Sequence, residues 1–218
     1  MSVRMIDLTL PMTEEGMSII AGNKGLELHA LRHHDPDGRS SQRIALSLHL
    51  GTHLDAPFHF DPDGVTMEEV DLNRFYGPGI CLDLRASKNR QLELPEGLDT
   101  AELADKIVLL SVGWSDQVFG KGAYYEEGPY LSVDAARALV AAGPRAIGAD
   151  FPVDSHSADV EQEAWSCHRT VLRAGIPLID NLTNLAGLIG VSFTFAALPL
   201  RLVGGDGSPT RAVALLEG

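Results

Sequence analysis

The chain has 218 residues, 44% of them hydrophobic, and a formal net charge of −13 at pH 7. This length and composition predict one globular domain over residues 1–218, and the negative charge argues against nucleic-acid binding because a phosphate backbone would be repelled. We find no signal peptide, no run of about 18 apolar residues and no pair of closely spaced cysteines, so we expect a cytoplasmic protein without membrane spans or disulfide bonds.

Short strands are predicted for the first part of the chain. The alternation over residues 4–10 is typical of a strand, and the glycine-rich stretch 12–25 is typical of a loop. Residues 27–32 predict a second strand, which ends before a turn at 35–38.

The clearest pattern in the sequence runs from Arg43 to Phe60, where every second residue is largely apolar. Period-two alternation predicts a strand with one face toward a core. The other face carries the titratable residues His49, His53, Asp55 and His59.

One straight strand cannot bring these polar residues together, because His49 and His59 would lie about 33 Å apart in extended chain. We therefore predict a strand to about Leu50, a curled segment through Asp55 and then a turn. Gly51 and Pro57 are the expected bends.

Strands and helices alternate in the rest of the chain. Strands are predicted over residues 80–85, 107–112, 146–150 and 177–180, and helices over residues 100–105, 132–142 and 159–174. A final hairpin is predicted to pair residues 196–203 with 211–216. The alternation predicts an α/β fold with a mixed sheet.

The polar face of the 43–60 stretch indicates a metal site. Imidazole and carboxylate groups are ligands for zinc, manganese or iron, and a catalytic metal needs three protein ligands plus an open position. An ordinary solvent-exposed strand face is the alternative interpretation. His168 and Asp180, considered alone, are also compatible with structural roles.

The run from His49 to His59 closely resembles the signature H-x-G-T-H-x-D-x-P-x-H of the metal-dependent cyclase family, with every fixed position matched. That family includes bacterial kynurenine formamidase, isatin hydrolase and a dienelactone hydrolase. The runs 168–185 and 205–211 resemble later blocks of the family, so the resemblance covers almost the whole chain. It implies an α/β fold of the swivelling β/β/α type, with a barrel-like mixed sheet and flanking helices.

The resemblance also implies the metal ligands. His49, His53 and Asp55 would bind a first divalent metal, with Zn²⁺ preferred and Mn²⁺ as the alternative. His168 and Asp180 would bind a second metal, to which Asp55 could bridge. Asp180 stands where the formamidases have a glutamate, and its carboxylate reaches about 1.5 Å less. We therefore expect a firm first site and a weaker second one.

The activity that the resemblance implies is hydrolysis of an amide, lactam or lactone bond in a small aromatic or cyclic substrate. A metal-bound hydroxide would attack the carbonyl carbon, and His59 would serve as the acid/base, worth about 10²–10⁴ in rate. An arylformamidase and a non-catalytic metal-binding protein are the two alternatives.

Substrate contacts and assembly are also expected from the resemblance. The formamidases carry a tryptophan in the loop before the motif, whereas residues 17–21 contain none. We expect an apolar substrate wall formed by Ile19, Ile20, Phe58 and Trp114. Family members are dimers or tetramers, so a homodimer or homotetramer is expected.

Overall fold

The computed structural model describes residues 3–156 and 164–217. Its main feature is a curled, half-barrel sheet of nine strands, which confirms the predicted mixed α/β fold. In order across the sheet the strands are β1 (Val3–Asp7), β13 (Val213–Glu217), β11 (Phe193–Ala196), β5 (Tyr76–Asp83), β7 (Ile107–Ser111), β9 (Ala146–Ala149), β10 (Leu178–Asp180), β4 (His53–Asp55) and β12 (Gly207–Pro209).

The centre of the sheet is parallel and its margins are antiparallel. Strands β5, β7, β9 and β10 run parallel to one another, and the remaining pairs are antiparallel. All five residues of β7 are buried, as expected for a parallel strand covered on both faces. Ile107 and Leu109 enter one hydrophobic core, whereas Val108 and Leu110 enter the other.

Four helices occur among the described residues: α1 (His34–Asp37, a single turn), α2 (Trp114–Val118), α3 (Val133–Ala142) and α4 (Ser166–Leu172). Short 3-10 helices cover Pro57–His59, Met67–Glu69, Leu72–Arg74, Thr100–Leu103 and Leu185–Leu188. Nothing in this part of the chain is a helix long and apolar enough to cross a membrane.

Helix α3 has the boundaries that its sequence predicts. The Ser132 side chain accepts a hydrogen bond from the backbone of Ala135, and Gly143 ends the helix at φ 70°. Of the helix predicted over 159–174, residues 159–163 lie outside the described part of the chain, and the described part is helical only over α4, which begins after Trp165 (φ 61°) and ends at Leu172. Helices α3 and α4 cover the same face of the sheet.

The predicted strand to Leu50 is wrong in its length and in its burial. Strand β3 (Ser41–Ala45) ends five residues earlier and pairs only with β2 (Glu27–Arg32). The Ile44 side chain of this hairpin is 55% exposed, because no second layer of the described chain covers a two-stranded ribbon. The expected fold-back is present, since residues 48–52 form turns and bends before β4.

Two other predicted elements differ. The final hairpin pairs β11 with β13, so its first strand is Phe193–Ala196 and not 196–203. Residues 207–209, expected in the turn, form β12 beside β4. The segment predicted as a helix over 100–105 is a 3-10 helix capped by Asp99. A further small sheet joins β6 (Gln91–Leu92) to β8 (Tyr130–Leu131).

Candidate metal centre

Strand β4 presents two of the candidate ligands on one face. His53 and Asp55 are alternate residues of this strand, so their side chains point the same way. Nδ1 of His53 donates a hydrogen bond to the carbonyl of Gly51 at 2.9 Å. Because that nitrogen carries the proton, Nε2, which lies 3.3 Å from Oδ1 of Asp55, is the nitrogen free to bind a cation.

The turn before β4 is held in place by the residue that follows β10. Asn181 has a left-handed backbone (φ 57°), and its amide donates to the carbonyl of Gly51 at 2.9 Å. Its own carbonyl accepts a hydrogen bond from Thr52 at 2.6 Å. These contacts place the turn containing His49 against the edge of the sheet.

His168 and Asp180 complete the buried side of the centre. Strand pairing sets Asp180 opposite His53, and His168 projects from α4. Nε2 of His168 lies 3.3 Å from Oδ2 of Asp180 and 3.4 Å from Oδ2 of Asp55. The structure thus brings together residues separated by more than a hundred positions in the sequence.

A buried aspartate orients the His168 ring. Asp154 is 2% exposed and accepts a hydrogen bond from Nδ1 of His168 at 2.6 Å, as well as from the backbone amides of Cys167 and His168. Burial alone would lower the pKa of His168, but Asp154, Asp180 and Asp55 raise it well above its usual value. A carboxylate behind a ligand histidine is the usual outer contact of a metal site.

Two carboxylate oxygens in this buried half lack a hydrogen-bond partner. Among the described residues, Oδ2 of Asp55 and Oδ1 of Asp180 are buried and accept no hydrogen bond. One ligand atom from each of His53, Asp55 and Asp180 lies within 4.8 Å of the others. Leaving buried carboxylate oxygens unpaired is costly, so the residues present fit a bound divalent cation.

The second half of the centre is more open. The rings of His49 and His59 stack with centroids 3.9 Å apart and planes 22° from parallel. Nδ1 of His49 lies 2.7 Å from Oδ1 of Asp55. His49, Asp55 and His59 form a second group of potential ligand atoms within 4.8 Å, so Asp55 is common to both groups, as expected for a bridging carboxylate.

The two open imidazoles have opposite pKa shifts. Burial would lower the pKa of His49, but hydrogen bonds and charge from Asp55 and Asp206 raise it to about 9. Burial lowers the pKa of His59, and the neighbouring charges do not reverse that effect. In the metal-free chain the His49 ring is therefore positively charged at neutral pH, whereas the His59 ring is largely neutral.

A cavity of about 400 Å³ lies in front of these residues. Its aromatic wall is formed by Phe60, Tyr125, His156 and Trp165, in which neighbouring ring centroids are 4.8–5.7 Å apart. Both ligand groups line the same cavity, so a bound molecule would contact the aromatic wall and the metal centre together.

Only one of the four expected substrate contacts lines this cavity. Ile20 does so, together with Ala21 and Asn23 from the N-terminal loop. Ile19 borders a neighbouring depression, Phe58 is 38% exposed, and the Trp114 indole donates to the carbonyl of Tyr124. The 3-10 helix over Pro57–His59 breaks the strand alternation. For this reason Phe58 does not line the cavity, and Phe60 does.

Comparison with known proteins now identifies the family. The sequence model of the Cyclase family matches residues 6–155. The chain belongs to the Cyclase family. The family resemblance of the His49–His59 run is thereby confirmed.

Curated relatives and solved structures of this family are similar over most of their length. The kynurenine formamidase of Geobacillus thermodenitrificans (strain NG80-2) is 32% identical over 171 residues, which cover 78% of this chain and 77% of that protein. Isatin hydrolase A from Labrenzia aggregata, bound to benzyl benzoate, superposes with a TM-score of 0.85 at 26% identity, covering 99% of this chain and 94% of the other. The structure of a potential metal-dependent hydrolase with cyclase activity superposes with a TM-score of 0.80 at 27% identity, and the superposition covers 100% of each chain.

In this Cyclase-family chain the cavity is acidic. Among the described residues that line it there is no lysine or arginine, whereas Asp55, Asp180 and Asp206 are present. The sequence of residues 157–163 also contains no lysine or arginine. Among the described lining residues, only the imidazoles with a raised pKa, His49 and His168, could offset a substrate carboxylate in the metal-free chain, and a bound cation would add to that charge.

Three residues at the centre were not recognised from the sequence. Asp154, Trp165 and Asp206 are each isolated in sequence from the His49–His59 run. The best signal was at Asp206, because glycines flank it on both sides and allow a close approach of the backbone. The signal beside Asp154 is the polar loop that begins there after the predicted strand 146–150, and nothing in the residues around Trp165 indicates a place in the cavity.

Proposed function

We propose that this Cyclase-family protein is a divalent-metal-dependent hydrolase that cleaves the C–N bond of a small amide or lactam carrying a planar ring. The observation that carries the proposal is a pair of buried carboxylate oxygens, one on Asp55 and one on Asp180, that accept no hydrogen bond and lie at the imidazole-lined end of a cavity with an aromatic wall. Mixed nitrogen and oxygen ligands suit Zn²⁺, and Mn²⁺ is the alternative.

Five residues would hold the metal. His49, His53 and Asp55 would form the first site, and His168 with Asp180 the second, with Asp55 shared. A bound divalent cation would polarise the scissile carbonyl and lower the pKa of a water molecule. The shorter Asp180 side chain supports a weaker second site.

We assign the acid/base role to His59. Its Nδ1 lies 3.2 Å from Oδ2 of Asp206. When the N–H group at Nδ1 donates a hydrogen bond to this carboxylate, the lone pair of the ring is on Nε2. Because burial lowers the pKa of His59, the ring is ready to accept a proton from the attacking water near neutral pH. The same nitrogen then returns that proton to the leaving nitrogen, so that the C–N bond breaks and the nitrogen leaves as a neutral amine.

The cavity favours a ring-bearing substrate without its own negative charge. Trp165 and Phe60 offer aromatic faces, and aromatic pairs contribute about 0.5–1.5 kcal/mol beyond the area they bury. A stacking surface is thus present although residues 17–21 contain no tryptophan. Ile20 adds an aliphatic contact from the N-terminal loop.

Arylformamidase activity is the second candidate. It is favoured by the 32% identity to a kynurenine formamidase, and Trp165 provides a surface on which an aniline ring could stack. The acidic cavity disfavours a substrate carboxylate, so N-formylkynurenine would have to direct its carboxylate away from Asp180 and Asp206.

Assembly and location are parts of the same proposal. A homodimer or homotetramer is supported by the β2–β3 hairpin, on which Leu28, Leu31 and Ile44 are 40–56% exposed. Light scattering on the purified protein measures the oligomeric state. A cytoplasmic location is supported by the two cysteines, Cys81 and Cys167, which are buried as thiols and form no disulfide bond.

The first test combines elemental analysis with turnover assays on isatin, N-formylkynurenine and a dienelactone. We expect one or two ions per chain, and hydrolysis that a chelator removes and added zinc or manganese restores. Protein that retains no metal, even after zinc or manganese is added, contradicts the proposal. Metal binding without hydrolysis of any of the three compounds supports the non-catalytic alternative.

His59→Gln separates catalysis from metal binding. The variant should retain its metal and lose about 10²–10⁴ in turnover, because it lacks the acid/base. Unchanged turnover would remove His59 from the mechanism.

A further inference from the structure

We propose that Asp206 is a positioning residue whose carboxylate orients a metal-binding imidazole and the acid/base imidazole at the same time. The proposal rests on the function proposed above for His49 and His59. It gives a role to the 205–211 run, which contributes neither a ligand nor an acid/base to that mechanism.

One oxygen atom makes both contacts. Oδ2 of Asp206 lies 2.9 Å from Nε2 of His49 and 3.2 Å from Nδ1 of His59. The two rings stack against each other directly beside this oxygen. A displacement of the carboxylate would therefore disturb both imidazoles together.

The backbone around Asp206 is anchored on both sides. The amide of Gly204 donates to Oε1 of Glu68 at 2.8 Å, and the carbonyl of Gly205 accepts from the amide of Met67 at 2.8 Å. The carbonyl of Asp206 itself accepts from the amide of Ala56 at 3.0 Å. Since β12 then pairs with β4 (Gly207 opposite Asp55), the position of the carboxylate is set by main-chain contacts.

Gly207 allows this approach. A Cβ atom there would lie 2.7 Å from Cε1 of His49 and 2.8 Å from the carbonyl oxygen of Leu54. The backbone at Gly207 is thus in direct contact with the His49 ring, and a larger residue at position 207 would move Asp206 away from both histidines.

The shared oxygen also selects which ring nitrogens carry protons. Each imidazole must present an N–H group to Asp206, so Nε2 of His49 and Nδ1 of His59 are the donors. The other ring nitrogen of His49, Nδ1, lies 2.7 Å from Oδ1 of Asp55 and would bind a cation once it has lost its proton, and Nε2 of His59 keeps its lone pair. Asp206 thereby prepares one ring to bind a cation and the other to exchange a proton with substrate.

The experiment compares Asp206→Asn, Asp206→Glu and, as a matched control, Asp63→Asn, which removes an exposed carboxylate outside the cavity. For each protein we would measure kcat and KM, Zn²⁺ affinity of the metal-free chain by chelator competition, and histidine ring tautomers by ¹⁵N NMR. Thermal unfolding checks that the variants fold.

We expect Asp206→Asn to weaken Zn²⁺ binding and to lower kcat by about 10–100-fold each, with little change in KM. The His59 ring should lose its single tautomer, Asp206→Glu should recover part of both effects, and Asp63→Asn should match the wild type. Wild-type zinc affinity and an unchanged His59 tautomer in Asp206→Asn would overturn the proposal. A rise in KM alone would also overturn it, because it would indicate a substrate contact.

The proposal can fail separately from the proposed function. If the wild-type chain hydrolyses no test substrate, zinc affinity and the tautomer signals still report whether Asp206 orients the two rings. If hydrolysis is found but Asp206→Asn leaves kcat, zinc affinity and tautomers unchanged, the hydrolase assignment stands and the role of Asp206 is rejected.

Discussion

The two halves of the metal centre hold their imidazoles in different ways. His53 and His168 are each 5% exposed, and each is fixed from behind by its own buried acceptor, Gly51 or Asp154. The side chains of His49 and His59 are 14% and 25% exposed and share one acceptor, Asp206. The buried half contains only proposed metal ligands, whereas the open half combines a proposed ligand, His49, with the proposed acid/base, His59.

Asp55 connects the two halves, so its removal should have the largest effect. In the metal-free chain its carboxylate balances His49, His53 and His168, which keep its pKa well below the usual range although burial would raise it. We expect Asp55→Asn to lose bound metal and turnover, and to be destabilised by about 3–5 kcal/mol when metal-free, because buried imidazoles lose their counter-charge. Elemental analysis and denaturant unfolding measure both effects.

Asp180→Asn is the matched comparison for Asp55→Asn. Because Asp180 is a ligand of the proposed second site only, this variant should lose the second ion and keep the first. Equal metal loss in the two variants would show that Asp55 is not shared between two sites.

The next largest effect on metal affinity is expected for Asp154, which accepts the hydrogen bond from Nδ1 of His168. Asp154→Asn keeps the volume but removes the charge that orients the Nδ1 proton, so we expect metal affinity to fall about 10–100-fold. Chelator competition measures the change. An affinity equal to that of the wild type would mean that the backbone of α4 alone orients His168.

Asp150 is the control residue for Asp154. It lies four residues before Asp154 and is also buried, but its three hydrogen-bond donors are uncharged. Burial raises the pKa of Asp150 to about 6, whereas His168 holds the pKa of Asp154 below its usual value. Asp150→Asn should therefore leave metal affinity unchanged.

Asp150 should instead affect the pH dependence of stability. A carboxyl group whose pKa rises on folding from 3.8 to about 6 stabilises the fold when protonated, and that contribution is lost as the pH rises through about 6. Relative to Asp150→Asn, the wild type should lose up to about 3 kcal/mol of unfolding free energy between about pH 4 and pH 7. Denaturant unfolding of both proteins measures this difference, and a pH-independent difference would contradict the shifted pKa.

The smallest effect is expected in the aromatic wall. Trp165→Leu keeps an apolar side chain but removes the ring face, so KM for a ring-bearing substrate should rise by up to about tenfold, equivalent to about 0.5–1.5 kcal/mol. Steady-state kinetics should show kcat nearly unchanged. A large fall in kcat with constant KM would place Trp165 in a different role.

Similar alternation in sequence led to different burial along the 43–60 stretch. Ile44 and Leu54 lie on the same parity of one period-two pattern, yet Ile44 is 55% exposed and Leu54 is fully buried. Periodicity reports that one face of a strand is apolar, whereas burial depends on whether another layer covers that face. That layer comes from residues far away in the chain.

The sequence by itself determined the family, the mixed α/β fold, the ends of α3 and the spacing of the His49–His59 run, because these depend on residues that are close in sequence. The roles of the proposed ligands remain predictions. Only the tertiary structure decided that Asp206, Asp154 and Trp165 stand at the centre and that Phe60 replaces Phe58 in the cavity. The physical reason is that Asp206 reaches His49 across 157 positions only after β12 pairs with β4, and no local pattern encodes that pairing.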